Sequence, residues 1–427
     1  MTDVIMARIE AINNGELPEG YKRTTAGIMP EDWDGAIRAK QLFKSHTDKK
    51  HNGDLEILAS TQERGIVPRS QIGIDIQCSD EGVKGYKKVS KGDFVISLRS
   101  FQGGIEYSEY DGIVSPAYTI LKPINDISAG FYRNYFKTDS FIDRINGAVY
   151  GIRDGKQIGY EDFGDMYVHC PPLAEQERIA EILLQCDKVI QLKQRKIKEL
   201  GHLKKACLRM MFPEKGCSKP VIRFPGFSEA WEQRKLGDDL VSIHTGTNLL
   251  GSITNTGMPL IKMGNIQRGY FDTSKVEFLA ENEQPDKADI ANYGDFFFNT
   301  RNTLELVGKG ATWMKNSGEY AFNSNIARFE LRNLDTIFFN YLYNTDYMTK
   351  QIHARAMGTT SVAAIYPRTL DSVEYLAPCM KEQQKIGAYF KQLDHLITLH
   401  QRELEESKKK KKALEKLLLT GIVRVHV

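Results

Sequence analysis

Residues Pro171–Pro213 read PPLAEQERIAEILLQCDKVIQLKQRKIKELGHLKKACLRMMFP, and residues Pro378–Thr420 read PCMKEQQKIGAYFKQLDHLITLHQRELEESKKKKKALEKLLLT. At a constant offset of 207 positions, without a gap, 14 of the 43 residues are identical. A long-period repeat sets the architecture: two tandem copies of one unit, each ending in this segment. Within the first copy, Ile179, Leu183, Cys186, Ile190, Lys193, Ile197, Leu200, Lys204, Cys207 and Met211 follow each other in steps of four and three. Ile386, Phe390, Leu393, Ile397, His400, Leu404, Ser407, Lys411, Leu414 and Leu418 repeat the pattern. These are heptad seams on long helices, each a rod of roughly 60 Å at 1.5 Å per residue. The polar interruptions coincide, Lys193 with His400 and Lys204 with Lys411, so the two helices are expected to pair with each other. Pro171 and Pro378 sit just ahead of the helices, and Pro213 and Gly421 end them.

Outward from the helices the chain is ordinary in composition, with 41% apolar and 26% charged residues, as in globular proteins. No apolar run is long enough to span a bilayer, and Met1–Gly20 has neither a basic nor an apolar leader region, so neither a membrane segment nor a signal peptide is expected. Cys78, Cys170, Cys186, Cys207, Cys217 and Cys379 show no paired spacing and are expected to be buried free thiols in a reducing cytoplasm. The net charge of +3 conceals a division: residues 171–213 and 378–421 each carry +4, which leaves −5 for the rest. A DNA surface on the globular parts must therefore be a local patch. The pentalysine Lys408–Lys412 reads more readily as a solvated face than as a phosphate track.

Ahead of each helix lies a stretch with the texture of a mixed α/β domain. Landmarks recur in order: EDWD around Trp33 and EAWE around Trp231, Arg64-Gly65 and Arg268-Gly269, Gly92-Asp93-Phe94 and Gly294-Asp295-Phe296, Arg99 and Arg301. The GDF pieces read as a turn into a buried strand. Segments 131–145 and 338–354 look helical. His244–Asn248 reads as a turn-rich loop, and Gly147 and Gly358 each open a short polar stretch. The expected divisions are an N-terminal segment 1–30, a first domain 31–170, the central helix 171–213, a Gly/Pro/Lys-rich linker 214–225, a second domain 226–377 and a C-terminal helix 378–421.

Catalytic constellations are not legible. There is no phosphate loop, zinc spacing, nucleophile elbow or methyl-donor signature. Asp48-Lys49-Lys50, downstream of Pro30-Glu31-Asp32, has the look of a metal nuclease pattern, but it arises easily by chance and has no counterpart in the second domain.

The helix starts Glu175-Gln176-Glu177-Arg178-Ile179 and Glu382-Gln383-Gln384-Lys385-Ile386, the glycine-small-polar stretches Gly147-Ala148-Val149-Tyr150 and Gly358-Thr359-Thr360-Ser361, and above all the duplicated alternation of domain and helix carry a resemblance. Over nearly its whole length the chain resembles the specificity subunits of type I restriction–modification systems. The resemblance implies two target recognition domains, each reading one half of a split double-stranded DNA site. It implies an antiparallel helix pair that spaces them and docks two methyltransferase (modification) subunits, with restriction/translocase subunits in the full complex. It implies a non-catalytic chain in a prokaryotic cytoplasm, with S-adenosylmethionine, ATP and Mg held by the partners.

Base reading needs Arg, Lys, Asn and Gln at loops or edges that can enter the major groove. The first domain offers Gln62, Arg64, Arg69, Gln71, Arg99 and Gln102. The second offers Asn248, Lys262, Asn265, Gln267, Arg268, Arg301, Asn302 and Thr303. The matched arginines, Arg64/Arg268 and Arg99/Arg301, suit shared phosphate anchoring or structural work, and the unmatched neighbours suit base reading. Apolar residues off the seam, Ile182, Val189, Tyr389 and Leu396, are the candidate partner contacts. The competing readings are a stand-alone DNA-modifying or DNA-cleaving enzyme with a divergent site, and a protein-only coiled-coil scaffold.

Overall fold

The computed structural model describes residues 3–34, 37–62, 64–73, 83–148, 158–254, 257–359 and 362–425. Cys78, Val149, Tyr150, Thr360 and Ser361 lie outside the described residues. The helical expectation holds at Leu173–Met210 and Met380–Leu419, of 38 and 40 residues. All twenty seam positions are buried or half-buried. The chain folds as two compact units, residues 1–193 with 403–427, and residues 194–402. Each unit therefore holds the front half of one long helix and the back half of the other.

In the first unit, Lys411 reaches Asp187 at 2.6 Å and Lys193 reaches Glu403 at 2.8 Å. In the second, Lys204 reaches Asp394 at 2.5 Å, and Cys207 Sγ lies 3.5 Å from the Tyr389 hydroxyl. As one helix advances in each unit, its partner residues recede, so the pairing is antiparallel. The lysines that interrupt the seam are thus ion-pair partners across it, with their stems along apolar surface. The pentalysine is divided accordingly: Lys411 is engaged across the seam, Lys412 faces Asp139 at 3.2 Å, and Lys408, Lys409 and Lys410 are exposed.

Both units are built on the same four-stranded antiparallel sheet. In the first unit its order is Phe43–His46, Thr119–Pro123, Phe94–Ile96, Glu106–Tyr107; in the second it is Leu240–Thr245, Ile326–Leu331, Phe296–Asn299, Gly310–Thr312. The GDF turns behave alike. Gly92 and Gly294 take positive φ (101° and 91°), and the carboxylates of Asp93 and Asp295 accept the backbone N–H of Ser90 and Asn292 at 2.8 and 2.9 Å. Burial raises the pKa of both aspartates. The strands that follow are wholly buried.

Each sheet packs on a helix pair, Ala129–Tyr135 with Asp139–Ala148 and Thr336–Tyr343 with Asp346–His353. The sequence suggests one continuous helix in each place. The break falls where a threonine hydroxyl, of Thr138 or Thr345, takes the N–H of Phe141 or Met348 and starts a new helix. Two further expectations are corrected. His244 and Thr245 lie on a strand, Thr247 bridges to Asn323, and Gly246 between them packs against the backbone of Phe322, where a Cβ would meet the carbonyl oxygen at 2.0 Å. Gly147 lies in the last turn of a helix rather than opening a loop, whereas Gly358 (φ 131°) does start the tight hairpin to Ala363–Ala364.

The repeated Glu-Gln at each helix start locks domain to helix. Gln176 Oε1 accepts the N–H of Ser128 at 2.9 Å, and its Nε2 donates to Pro171 O at 2.8 Å. Gln383 does the same with Asp335 and Pro378, both at 2.9 Å. Glu175 and Glu382 are 3% and 0% exposed, and each is met by an arginine from the segment after the other long helix: Arg424 for Glu175, Arg223 for Glu382. Trp33 donates its indole N–H to Glu175 at 2.9 Å, while the matching Trp231 N–H has no hydrogen-bond partner among the described residues. Of the cysteines, Cys207 is buried and Cys170 and Cys186 half-buried, but Cys217 and Cys379 are exposed, against expectation, because both lie in turns ahead of or between elements rather than on the seam.

Candidate nucleic-acid interface

In the first unit, the hairpin Leu58–Thr61/Gly65–Pro68 carries Gln62 and Arg64 at its turn, both exposed. Gly65 takes φ 70°, and a Cβ there would come within 2.7 Å of Tyr107 O, so the turn lies hard against the sheet edge. Arg64 donates to Gln71 Oε1 at 2.6 Å, making one exposed polar pair. Arg99 and Gln102 are exposed at the start and middle of the short helix Ser100–Gly103. Gly103 is close enough to Gln62 that a Cβ would sit 2.7 Å from its side chain, so hairpin and short helix form one surface. Arg69 differs: it is half-buried, lies over the Tyr86 ring at 5.8 Å and donates to its hydroxyl at 3.2 Å. Its guanidinium is engaged within the unit.

In the second unit, Arg301 and Asn302 form a two-residue strand that pairs with Ala363–Ala364, which in turn pairs with Met357–Gly358. This small sheet presents Arg301 fully and Asn302 and Thr303 in part. Arg268, beside Gly269 (φ 82°), is exposed and lies 2.8 Å from His353 Nε2. Burial, then the Arg268 charge, lowers the pKa of His353. Gln267 is bridged to Lys309 Nζ at 2.8 Å, and the pKa of Lys309 is lowered by burial and by the same arginine. Asn248 is exposed just past the first sheet strand.

Two candidates are internal braces. Asn265 is 8% exposed: its amide donates to Asp272 O and Lys275 O at 3.0 and 2.8 Å, and its oxygen accepts the Lys262 N–H. A side chain with every polar atom already bonded inside the fold cannot also read a base edge. Lys262 is half-buried and paired with Glu277 at 2.5 Å.

The small sheet, Lys137, Lys309 and His353 were not among the sequence candidates. Lys309 closely follows the matched Arg301, and that proximity was the available signal; Lys137 and the small sheet offered none. The nuclease-like pattern makes no metal cradle: Asp48 accepts the N–H of Lys50 and faces Lys88 at 3.6 Å, and no group of three or more potential metal-ligating side chains occurs among the described residues.

Two frames of one design, each bearing exposed arginine and amide side chains, thus alternate along the chain with two paired long helices. The family profile described as the type I restriction modification DNA specificity domain matches the chain twice, at residues 31–202 and 228–409. The chain belongs to this family. It is 24% identical over 435 residues to the type I restriction enzyme MjaVIII specificity subunit of Methanocaldococcus jannaschii, covering 95% of this chain and 96% of that one. It is 20% identical to the EcoKI specificity subunit of Escherichia coli over 236 residues, 53% of this chain and 51% of that one. Among solved structures, the S subunit of a type I system from M. genitalium shares the fold at a TM-score of 0.53 and 12% identity, over 92% of this chain and 97% of that one. A chain solved in a study of complex assembly and conformational transition of the type I R-M system also has a TM-score of 0.53, at 16% identity, over 96% of this chain and all of that one.

Proposed function

We propose that each unit reads one half of a bipartite, asymmetric double-stranded DNA target, while the paired helices set the gap and dock two modification subunits. One observation carries this reading: the units share sheet order, glutamine locks and GDF turns, yet differ in the side chains presented over that frame. Common frames suit common tasks such as phosphate anchoring, and divergent surfaces suit different base sequences. The chain is non-catalytic in this reading, and S-adenosylmethionine, ATP and Mg belong to the partner subunits, among them restriction/translocase subunits. It acts in a prokaryotic cytoplasm, in keeping with the finding that no described helix is long and apolar enough to cross a membrane.

For base contact, Asn302 and Asn248 are the strongest candidates in the second unit, and Gln62, Gln71 and Gln102 in the first; the exposed matched arginines, Arg64/Arg268 and Arg99/Arg301, suit phosphate anchoring. Replacing Asn302 with Ala is expected to relax one position of one block by about 1–3 kcal/mol of discrimination and to leave the other block unchanged. Selection from a random duplex library checks this, and equal damage to both blocks would defeat the modular reading.

The partner surface also sharpens. Ile182 packs partly into its own unit's core, and Tyr389 meets the Phe224 and Phe390 rings edge to face, so both have structural work already. Val189 remains exposed and Leu396 half-buried. Leu192 and Leu399, equivalent positions of the repeat, are 66% and 41% exposed. Equivalent exposed leucines suit two equivalent docking sites. Native mass measurement at saturating modification subunit is expected to give two copies per chain, and Leu192→Asp or Leu399→Asp one copy. A stable one-to-one complex of the unaltered chain would contradict this. The purified chain alone, assayed without modification subunits, is expected to transfer no methyl group.

A further inference from the structure

In the first unit, Glu106 stands opposite Val95 on the edge strand of the sheet and is 2% exposed. Its Oε1 receives Lys137 Nζ at 2.5 Å, and its Oε2 has no hydrogen-bond partner among the described residues. The Lys137 ammonium also donates to Gly103 O at 2.7 Å and approaches Gln62 O at 3.5 Å. One buried ion pair thus ties together the ends of the two segments that carry Gln62, Arg64, Arg99 and Gln102. Gly104, at φ 76°, presses the same loop onto the backbone at Phe136, where a Cβ would meet the carbonyl oxygen at 2.0 Å.

The second unit ties the matching backbone through amides, with no buried ion pair in the place of Glu106 and Lys137. Strand pairing puts Ala311 opposite Phe297, in the place of Glu106. Asn344 stands where Lys137 does, each nine residues past the side chain that caps its helix, Ser128 or Asp335. Asn344 Nδ2 donates to Gly310 O at 3.0 Å and to Asn340 O at 2.8 Å, and Asn340 Nδ2 donates to Gly269 O at 3.0 Å, beside Arg268. Amides pin the reading turn of one unit, whereas a carboxylate and an ammonium pin that of the other.

We infer that Glu106 and Lys137 are positioning residues for base reading by the first unit, and that they give recognition of its half-site a pH dependence that the amide ties of the second unit do not give the other. The inference rests on the one-unit, one-block reading above. Among the described residues no other charge intrudes: Val95 on the neighbouring strand, Gln62 on the hairpin, Gly103 on the short helix and Ile142 on the following helix are neutral. The Arg133–Glu109 pair meets the adjacent Tyr107 instead. Among the described residues, Lys137 is the one charged group acting on Glu106, and Glu106 on Lys137.

Burial raises the Glu106 carboxyl to about 7, against which Lys137 pulls it down, and burial lowers Lys137. The charged pair therefore forms above about pH 7 and is lost below it. The sign for stability is the opposite. A carboxyl with a raised folded-state pKa favours the fold most in acid, and that contribution fades as pH rises through about 7. Acid thus loosens the tie without unfolding the unit through this group.

The test uses the full-length chain assembled with its modification subunits, a random-sequence duplex library, and selection at pH 8 and pH 6. Gln102→Ala first identifies the block read by the first unit. For the unaltered chain, discrimination at that block is expected to fall by up to roughly tenfold from pH 8 to pH 6, as the ionised fraction of a group titrating near 7 drops from about nine-tenths to one-tenth. The other block is expected to change less, since its own titratable neighbour, His353, is held below its ordinary range by burial and Arg268, and the melting temperature of the first unit is expected not to fall. Glu106→Gln is expected to give low discrimination at that block at both pH values. The double variant Glu106→Ala/Lys137→Asn, which installs the second unit's neutral arrangement, is expected to retain discrimination at both. Either variant keeping the parental pH profile overturns the inference, as does an equal pH response of the two blocks. If Gln102→Ala alters both blocks, the one-unit, one-block reading fails and takes the inference with it. If it alters one block and the pair variants leave that block's profile untouched, only the role of the pair fails.

Discussion

Replacing Arg223 with Ala is expected to destabilise the second unit by about 3–5 kcal/mol, the cost of stranding a buried charge. Glu382 is fully buried, and Arg223 meets its two oxygens with Nε and Nη2, both at 2.7 Å. The neighbouring indole that could have taken over, Trp231, makes no hydrogen bond to it. The first unit is built differently at the same place. Without Arg424, Glu175 would still accept from Trp33 at 2.9 Å and from the Val425 N–H at 3.4 Å. Arg424→Ala is therefore expected to cost less, about 1.5–3 kcal/mol. At roughly 2–4 °C per kcal/mol for a unit of this size, Arg223→Ala should lower the corresponding melting transition by about 10 °C. Adding Glu382→Leu to Arg223→Ala should recover most of the loss, because the uncompensated carboxylate is what destabilises. Calorimetry on the three variants checks the order. Equal costs for the two arginines would mean that the Trp33 bond does not hold Glu175.

The same comparison shows what could be read from the sequence and what could not. The helix seams were legible to the residue, because packing along a helix obeys a fixed local period and the repeat confirmed it twice. The GDF strands were legible because a turn signal and a fully apolar run coincide. The strand Leu240–Thr245 was missed because its exposure does not alternate regularly and it ends in turn-forming residues. The Arg301–Asn302 sheet was missed because two-residue strands have no period of their own and exist only through tertiary pairing. The helix breaks at Thr138 and Thr345 turn on a side-chain cap inside an otherwise helical pattern. Candidate readers were chosen by residue type, and type alone does not separate the exposed Asn248 from the buried Asn265. The Glu-Gln repeat was visible as a motif, but its partners Arg223 and Arg424 lie beyond the other long helix, a contact that only the folded chain reveals.

The division of the helices bears on how the chain would measure DNA. Each unit holds the front of one helix and the back of the other, and the boundary falls after Lys193 and after Arg402. Lengthening the central helix alone by four residues would slide it by about 6 Å past its partner and break the ion pairs of one unit. Four residues inserted after Lys193 together with four after Arg402 leave Lys411–Asp187, Lys193–Glu403 and Lys204–Asp394 within intact units. Coiled coils absorb such a four-residue stutter by local unwinding. An added rise of about 6 Å is close to two base-pair steps, since a turn of about 10 base pairs spans roughly 34 Å.

The most direct measurement is to map the sites selected from a random duplex library by the assembled complex carrying both insertions, beside the unaltered complex. The expected result is the same two specified blocks, separated by a gap one or two base pairs longer. An unchanged gap with full binding would show that the helices do not set the spacing, and altered blocks would show that the units do not read DNA independently of them.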